Sequence, residues 1–143
     1  VAIYPGNGVY QYTGCYNETT AVEGTGGKRA LSGGSMESLD TMTPIACLNF
    51  CNIDSYKYAG LEYTKECWCA QYISVFSTKL DESHCSLPCV GNTSEVCGGS
   101  LALSVYQRTT SSTSKSRAST WKMGPGKAVI VGLAIAALAM EML

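Results

Sequence analysis

The residues of this chain with the clearest chemical potential are Glu66-Cys67-Trp68-Cys69, where a tryptophan stands between two cysteines. Such a stretch suits a metal clip, a redox centre or a covalent staple that fixes an aromatic ring. A structural zinc site wants two close pairs of cysteine or histidine at ligand spacing. Cys67 and Cys69 are tighter than the usual pair, while Cys47 and Cys51, like Cys85 and Cys89, are separated by three residues, so the pattern can be forced onto zinc but does not suggest it. All eight cysteines, Cys15, Cys47, Cys51, Cys67, Cys69, Cys85, Cys89 and Cys97, precede Arg108. An even count confined to one block, in a chain with the sequons Asn17-Glu18-Thr19 and Asn92-Thr93-Ser94, predicts a secreted disulfide framework with glycan acceptors at Asn17 and Asn92.

Catalysis needs a nucleophile with its base, paired carboxylates or a metal. The one histidine, His84, adjoins Cys85, but a Cys-His dyad requires a free thiol, which the even count opposes. His84 therefore reads as a solvated loop residue. Asp81 and Glu82 are sequence neighbours with no apolar pocket in view to make one an acid and the other a base, so they read as surface charge. The expectation is a non-enzyme with no catalytic residues, no metal and no cofactor.

Binding is better supplied. Nine tyrosines stand against two phenylalanines and two tryptophans, and Tyr56, Tyr58, Tyr63, Trp68 and Tyr72 cluster centrally. Rings with a polar edge suit half-wet surfaces. They stack on the apolar faces of sugars while neighbouring Asn, Asp or Glu side chains bond the hydroxyls; exposed aromatics also serve protein interfaces. Trp68, Tyr58 and Tyr72 are the candidate ligand-binding residues, and Tyr63 is expected in the core with Ala59 and Leu61.

These residues need elements to hold them. In Thr43 to Ile53, Thr43 can cap a helix and Pro44 suits its first position, while Ile45, Leu48 and Ile53 recur near helical spacing with Cys47 and Cys51. A helix over 44–53 puts the two sulfurs on one face. Residues 56–72 read as two strands with a turn near Thr64-Lys65, setting Ala59, Leu61 and Tyr63 on one face and Tyr58, Gly60 and Glu62 on the other. On the second strand Cys67 and Cys69 share a side and Trp68 takes the opposite one. The pair Cys47 and Cys51 is thus expected to bond to Cys67 and Cys69, in either combination, forcing Trp68 away from the helix to cover the second sheet face or to meet a ligand. Cys15, Cys85, Cys89 and Cys97 leave three pairings open. Further strands are expected over 9–16 and 101–107, with loop over 18–35 and an irregular segment over 85–100 that holds at most a helical turn near Asp81 to Cys85.

Composition changes after Gln107. Nine of the twelve residues from Thr109 to Thr120 are serine or threonine, as in an O-glycosylated stalk. Ala128 to Met140 is an unbroken apolar run. That run is short for a spanning helix and is preceded by Lys122 and Lys127, so a cleaved lipid-anchor signal with attachment at Ser114 or Ser116 fits better than a single-pass helix. The expected organisation is a binding domain over 1–107, a stalk over 108–127 and a membrane segment or anchor signal over 128–143. The chain begins at Val1 without a leader pattern, as a processed chain or a fragment does. Residues 1–107 carry ten acidic and five basic side chains, which repel a polyanion and argue against nucleic acid.

The frame Gly14-Cys15-Tyr16, Ala30-Leu31-Ser32-Gly33, Met42 to Cys51, Tyr56 to Cys69 and Cys85 to Tyr106 resembles the WSC domain over residues 10–107, with all eight cysteines in order. The resemblance implies an extracellular α+β domain with four disulfides, its helix packed on an antiparallel sheet in the PAN or apple manner. It also implies a non-catalytic module for cell-wall polysaccharides of the β-glucan class, displayed at a fungal cell surface or wall. Cell-wall stress sensors carry the same domain on a longer stalk, so a sensor or receptor fragment with a protein partner is the alternative.

Overall fold

The computed structural model describes residues 1–109. Of the expected stalk, Arg108 and Thr109 are described, and both are hydrogen-bonded into the folded domain, Arg108 N–H to the Lys57 carbonyl and Thr109 N–H to that of Val9; the rest of the stalk, the apolar C-terminal run and the proposed attachment serines Ser114 and Ser116 lie outside the described residues. The elements are β1 (Tyr10–Asn17), β2 (Met36–Ser38), α1 (Pro44–Asn52), β3 (Tyr58–Glu62), β4 (Glu66–Ala70), β5 (Lys79–Leu80), a 3-10 turn (Glu82–His84), β6 (Pro88–Cys89), β7 (Asn92–Val96) and β8 (Ala102–Arg108). Six strands form one antiparallel sheet in the order β2-β4-β3-β8-β1-β5, and β6 and β7 form a separate hairpin. This is the small disulfide-rich α+β domain expected, a helix on an antiparallel sheet with four disulfides.

Helix α1 starts where Thr43 accepts the Ala46 N–H at 3.2 Å, with Pro44 in the first turn, where a missing donor costs nothing. Pro44, Cys47, Leu48 and Cys51 form its buried stripe. Ile45 and Ile53, expected in the same apolar set, are exposed. Ile45 lies one residue round from Pro44 and off the stripe, and Ile53 is the C-cap, beyond the last helical turn. Disulfides Cys47–Cys67 and Cys51–Cys69 decide which face meets the sheet and settle the pairing that the sequence left open. Cys15–Cys85 ties β1 to the end of the 3-10 turn, and Cys89–Cys97 closes the β6–β7 hairpin. That hairpin gives regular structure to a segment expected to be irregular.

Two apolar layers sandwich the sheet. Under α1 lie Tyr10, Met42, Leu48, Ala59, Leu61 and Tyr106 with the two helix-to-β4 disulfides. On the opposite face Ala30 and Leu31, from the long loop after β1, pack on Ala70, Leu103 and Val105. Strand β8 is consequently buried on both sides from Ala102 to Tyr106. Gly60 makes the second layer possible: a Cβ there would stand 2.7 Å from Leu31 Cδ1 and 2.8 Å from Leu103 Cδ2.

Tyr63 corrects an expectation. Register pairs Glu62 with Glu66, so the turn is Tyr63 to Lys65, and Tyr63 and Thr64 both have positive φ, at 53° and 69°. Strand alternation stops at Glu62, the left-handed backbone swings the Tyr63 ring out of the core, and its hydroxyl reaches Ser100 Oγ at 3.4 Å instead.

Candidate functional site

Trp68 leaves the sheet on the face opposite the helix, as alternation from Cys67 and Cys69 requires. Its cross-strand neighbours are Gly60 on β3 and Met36 on β2. One side of the indole packs on the second apolar layer, and the ring also lines an open groove of about 170 Å3 with Arg29, Met36 and the stretch from Leu31 to Ser35. The ring thus covers part of the second sheet face and borders an open groove at the same time.

The groove wall is the loop between β1 and β2, and its path is fixed by short-range polar chemistry. Glu18 follows β1 directly and is buried. Its Oε1 accepts the N–H groups of Thr19 at 2.8 Å and Ala30 at 2.6 Å, drawing the two ends of the loop together. Thr19 Oγ1 donates to the Lys28 carbonyl and Thr25 Oγ1 to that of Thr19, closing the intervening turn. Further on, the Cys69 N–H donates to the Ser35 carbonyl at 2.8 Å, which docks the loop on β4. Only glycine fits at Gly34, since a Cβ would fall 1.9 Å from the Cys69 carbonyl oxygen.

Arg29 is thereby delivered over Trp68, its guanidinium carbon 3.8 Å from the ring centroid, a stacking contact worth about 0.5–2 kcal/mol. Arg29 Nη1 also donates to Glu18 Oε2 at 2.7 Å and to Glu62 Oε1 at 3.3 Å. Both carboxyl side chains are fully buried, whereas the Arg29 side chain is one-third exposed. Glu62 Oε2 has no hydrogen-bond partner among the described residues. Burial first, and the Glu18 charge second, push the Glu62 carboxyl up to about 8, with Arg29 acting in the opposite sense. The Trp68 Nε1–H donates to Glu66 Oε1 at 3.1 Å, fixing the ring edge.

The expected binding residues divide. Trp68 lines the groove. Tyr58 lies on the same sheet face but is half-buried against the second apolar layer, with Lys57 Nζ 5.7 Å from its ring. Tyr72 lies past the end of β4 and is 81 % exposed, in a segment that also exposes Val75 and Phe76. Neither tyrosine lines the groove. The sequence reading missed Glu18, Arg29 and Glu62. For Glu62 a signal existed, because alternation already set it on the face of Trp68; Glu18 and Arg29 lay in a loop with no periodicity to read.

The other candidates are placed as follows. The sulfurs of Cys47, Cys51 and Cys67 lie within 4.8 Å of one another, but each is bonded in a disulfide and offers no thiolate to a metal. His84 and Asp81 are exposed, and Glu82 accepts the Tyr12 hydroxyl at the surface. Asn17 Oδ1 accepts from Thr78 N–H at 2.6 Å and its sequon partners Glu18 and Thr19 are buried. Asn92, Thr93 and Ser94 are all exposed on β7.

Comparison with known proteins adds an independent line. A family model described as the WSC domain matches residues 12–99. A protein of Chaetomium globosum named "Putative fungistatic metabolite" is 47 % identical over 97 residues, which cover 68 % of this chain and 41 % of the relative. A WSC domain-containing protein of Arthroderma benhamiae is 35 % identical over 99 residues, 69 % of this chain and 10 % of the relative. Xylosyltransferase oxt of Drosophila melanogaster is 35 % identical over 80 residues, 56 % of this chain and 9 % of that enzyme. The chain thus corresponds to less than half of each of these relatives, and one of them is an enzyme that carries this domain as a small part. With its four disulfides, its helix stapled to β4 and the family match over most of the folded residues, this chain belongs to the WSC domain family.

Proposed function

We propose that the folded domain is a non-catalytic module that holds a cell-wall polysaccharide of the β-glucan class in the groove beside Trp68. The observation that carries this reading is the composition of the groove. An indole and the side chains of Leu31 and Met36 supply apolar surface, and the guanidinium of Arg29 with Ser32 and Ser35 supplies hydrogen-bonding groups along the same wall. Sugar rings present the complementary pattern of C–H faces and hydroxyl rims. Within this proposal Trp68 is the contact residue, and Tyr58 and Tyr72 serve a longer chain that runs past the groove. The WSC resemblance supports an extracellular setting, in which the residues after Thr109 up to 127 act as a stalk and 128–143 attach the domain to a membrane.

The test is retention of the oxidised protein on insoluble β-1,3-glucan, chitin, xylan and cellulose, with Trp68→Ala alongside. Selective retention that disappears in a folded Trp68→Ala protein supports the reading, and unchanged retention in that variant shows the face to be wrong. A second reading, a sensor or receptor module with a protein partner, is favoured by a different observation: Tyr72, Val75 and Phe76 expose apolar surface at 81 %, 90 % and 46 %. Absence of retention on every polymer moves the weight to that reading.

A further inference from the structure

Beneath the Trp68 platform the charges do not balance. Two fully buried carboxyl groups, Glu18 and Glu62, share one guanidinium, so with both ionised the cluster carries a net negative charge on side chains shielded from water. A single proton restores neutrality. The hydrogen bonds show where it rests: Glu18 accepts three N–H donors, from Thr19, Ala30 and Arg29, at 2.6–2.8 Å. Glu62 receives only the 3.3 Å contact with Arg29, and its second oxygen meets no donor. Protonated, Glu62 becomes a donor itself, and the carboxylate of Glu18 beside it is the available acceptor.

We propose that Glu62 is a proton-dependent positioning residue for the binding platform: its neutral carboxyl lets Arg29 stay stacked on Trp68, and loss of its proton pulls the guanidinium down into the cluster and unseats the ring. The proposal rests, for its effect on ligand, on the sugar reading of the groove. The groups bearing on Glu62 are few. Glu18 and Arg29 reach it from the loop and Glu66 from β4, while β8 presents no charged side chain from Ala102 to Val105. Glu66 strengthens the effect, since its negative charge adds to that of Glu18 in holding the proton on Glu62. The group is poised near pH 8, so ordinary acidification leaves the platform in place and mild alkalinity disturbs it. A surface carboxylate would titrate some four units lower, far from this window.

The experiment uses the full chain with Trp121→Phe, which leaves Trp68 as the one indole, and follows its fluorescence from about two pH units below to two above the Glu62 midpoint of about 8, with retention on β-glucan read in parallel. The expected result is a fluorescence transition centred near that midpoint and at least a fivefold loss of retention across it. Glu62→Gln, a neutral isostere of the protonated acid, removes both the fluorescence transition and the pH dependence of retention. A Trp68 signal that ignores pH, or a transition that survives in Glu62→Gln, overturns the proposal even if sugar is bound. A transition abolished by Glu62→Gln, with no retention at any pH, upholds the proton-dependent seat of Trp68 and removes only the sugar reading.

Discussion

The guanidinium of Arg29 lies 3.8 Å over the Trp68 ring while its Nη1 bonds the buried Glu18 carboxylate at 2.7 Å. One side chain thus joins the exposed groove to a charge cluster inside the domain. Arg29→Ala removes the counterion of the buried Glu18 carboxylate and the one donor to Glu62 among the described residues, as well as the stacking partner of the indole. The expected cost is on the order of 2 kcal/mol, below the full value for a broken buried pair because the Arg29 side chain is one-third exposed. Chemical denaturation at neutral pH reads it, and a change within about 0.5 kcal/mol contradicts the account of the cluster.

Stability should depend on pH through Glu62. Its folded value of about 8 lies above the ordinary carboxyl value of 4.5, so between those limits the folded state binds the extra proton. The contribution is complete below the ordinary value, is lost progressively as pH rises, and levels off above about 8. Glu62→Gln flattens this slope and is more stable than the parent on the alkaline side. Denaturation midpoints measured across the range check the sign; a parent protein that gains stability over this window contradicts it.

The disulfides are unequal in the loops they close. Cys15–Cys85 spans 70 residues and Cys89–Cys97 spans 8. On chain entropy alone, replacing both cysteines of the first pair by alanine costs about 4 kcal/mol and of the second about 2.5 kcal/mol. Urea titrations of the two double variants give the order directly, and an inverted order would show that contacts around the bridges outweigh the unfolded chain.

The two sequons are expected to differ in occupancy. Asn92 stands exposed on a hairpin strand, whereas the Asn17 amide is bonded to Thr78 and followed by two buried residues. Mass spectrometry of protein from a eukaryotic secretory host should find glycan at Asn92 and an unmodified Asn17. Full occupancy at Asn17 would mean that modification precedes the closing of the loop after β1.

Much of this arrangement could be read in advance wherever a regular period carried the information. Cys47 and Cys51 on one helix face, Cys67 and Cys69 on one strand face, and Trp68 opposite them follow from periods of 3.6 and 2. The Thr43 cap and the end strands follow from local chemistry within a residue or so. The period fails where backbone turns over: Tyr63 continued the apolar alternation on paper, yet stands in a left-handed turn. It fails again between β1 and β2, where Glu18 and Arg29 are brought to Trp68 by side-chain hydrogen bonds and a glycine contact rather than by any repeat. Their types gave no warning, since a Glu and an Arg in a polar loop are ordinarily solvated.

Among the described residues, the strand synthesised last is the one the sheet is built around. β8 lies between β3 and β1, so neither flank can close until the chain through Arg108 has left the ribosome. Until then the nascent polypeptide holds two open strand edges and eight cysteines with no central strand to rank their partners. Bonds formed early are formed without the template that selects the right ones. Efficient production of this domain accordingly depends on thiol exchange staying open until β8 docks.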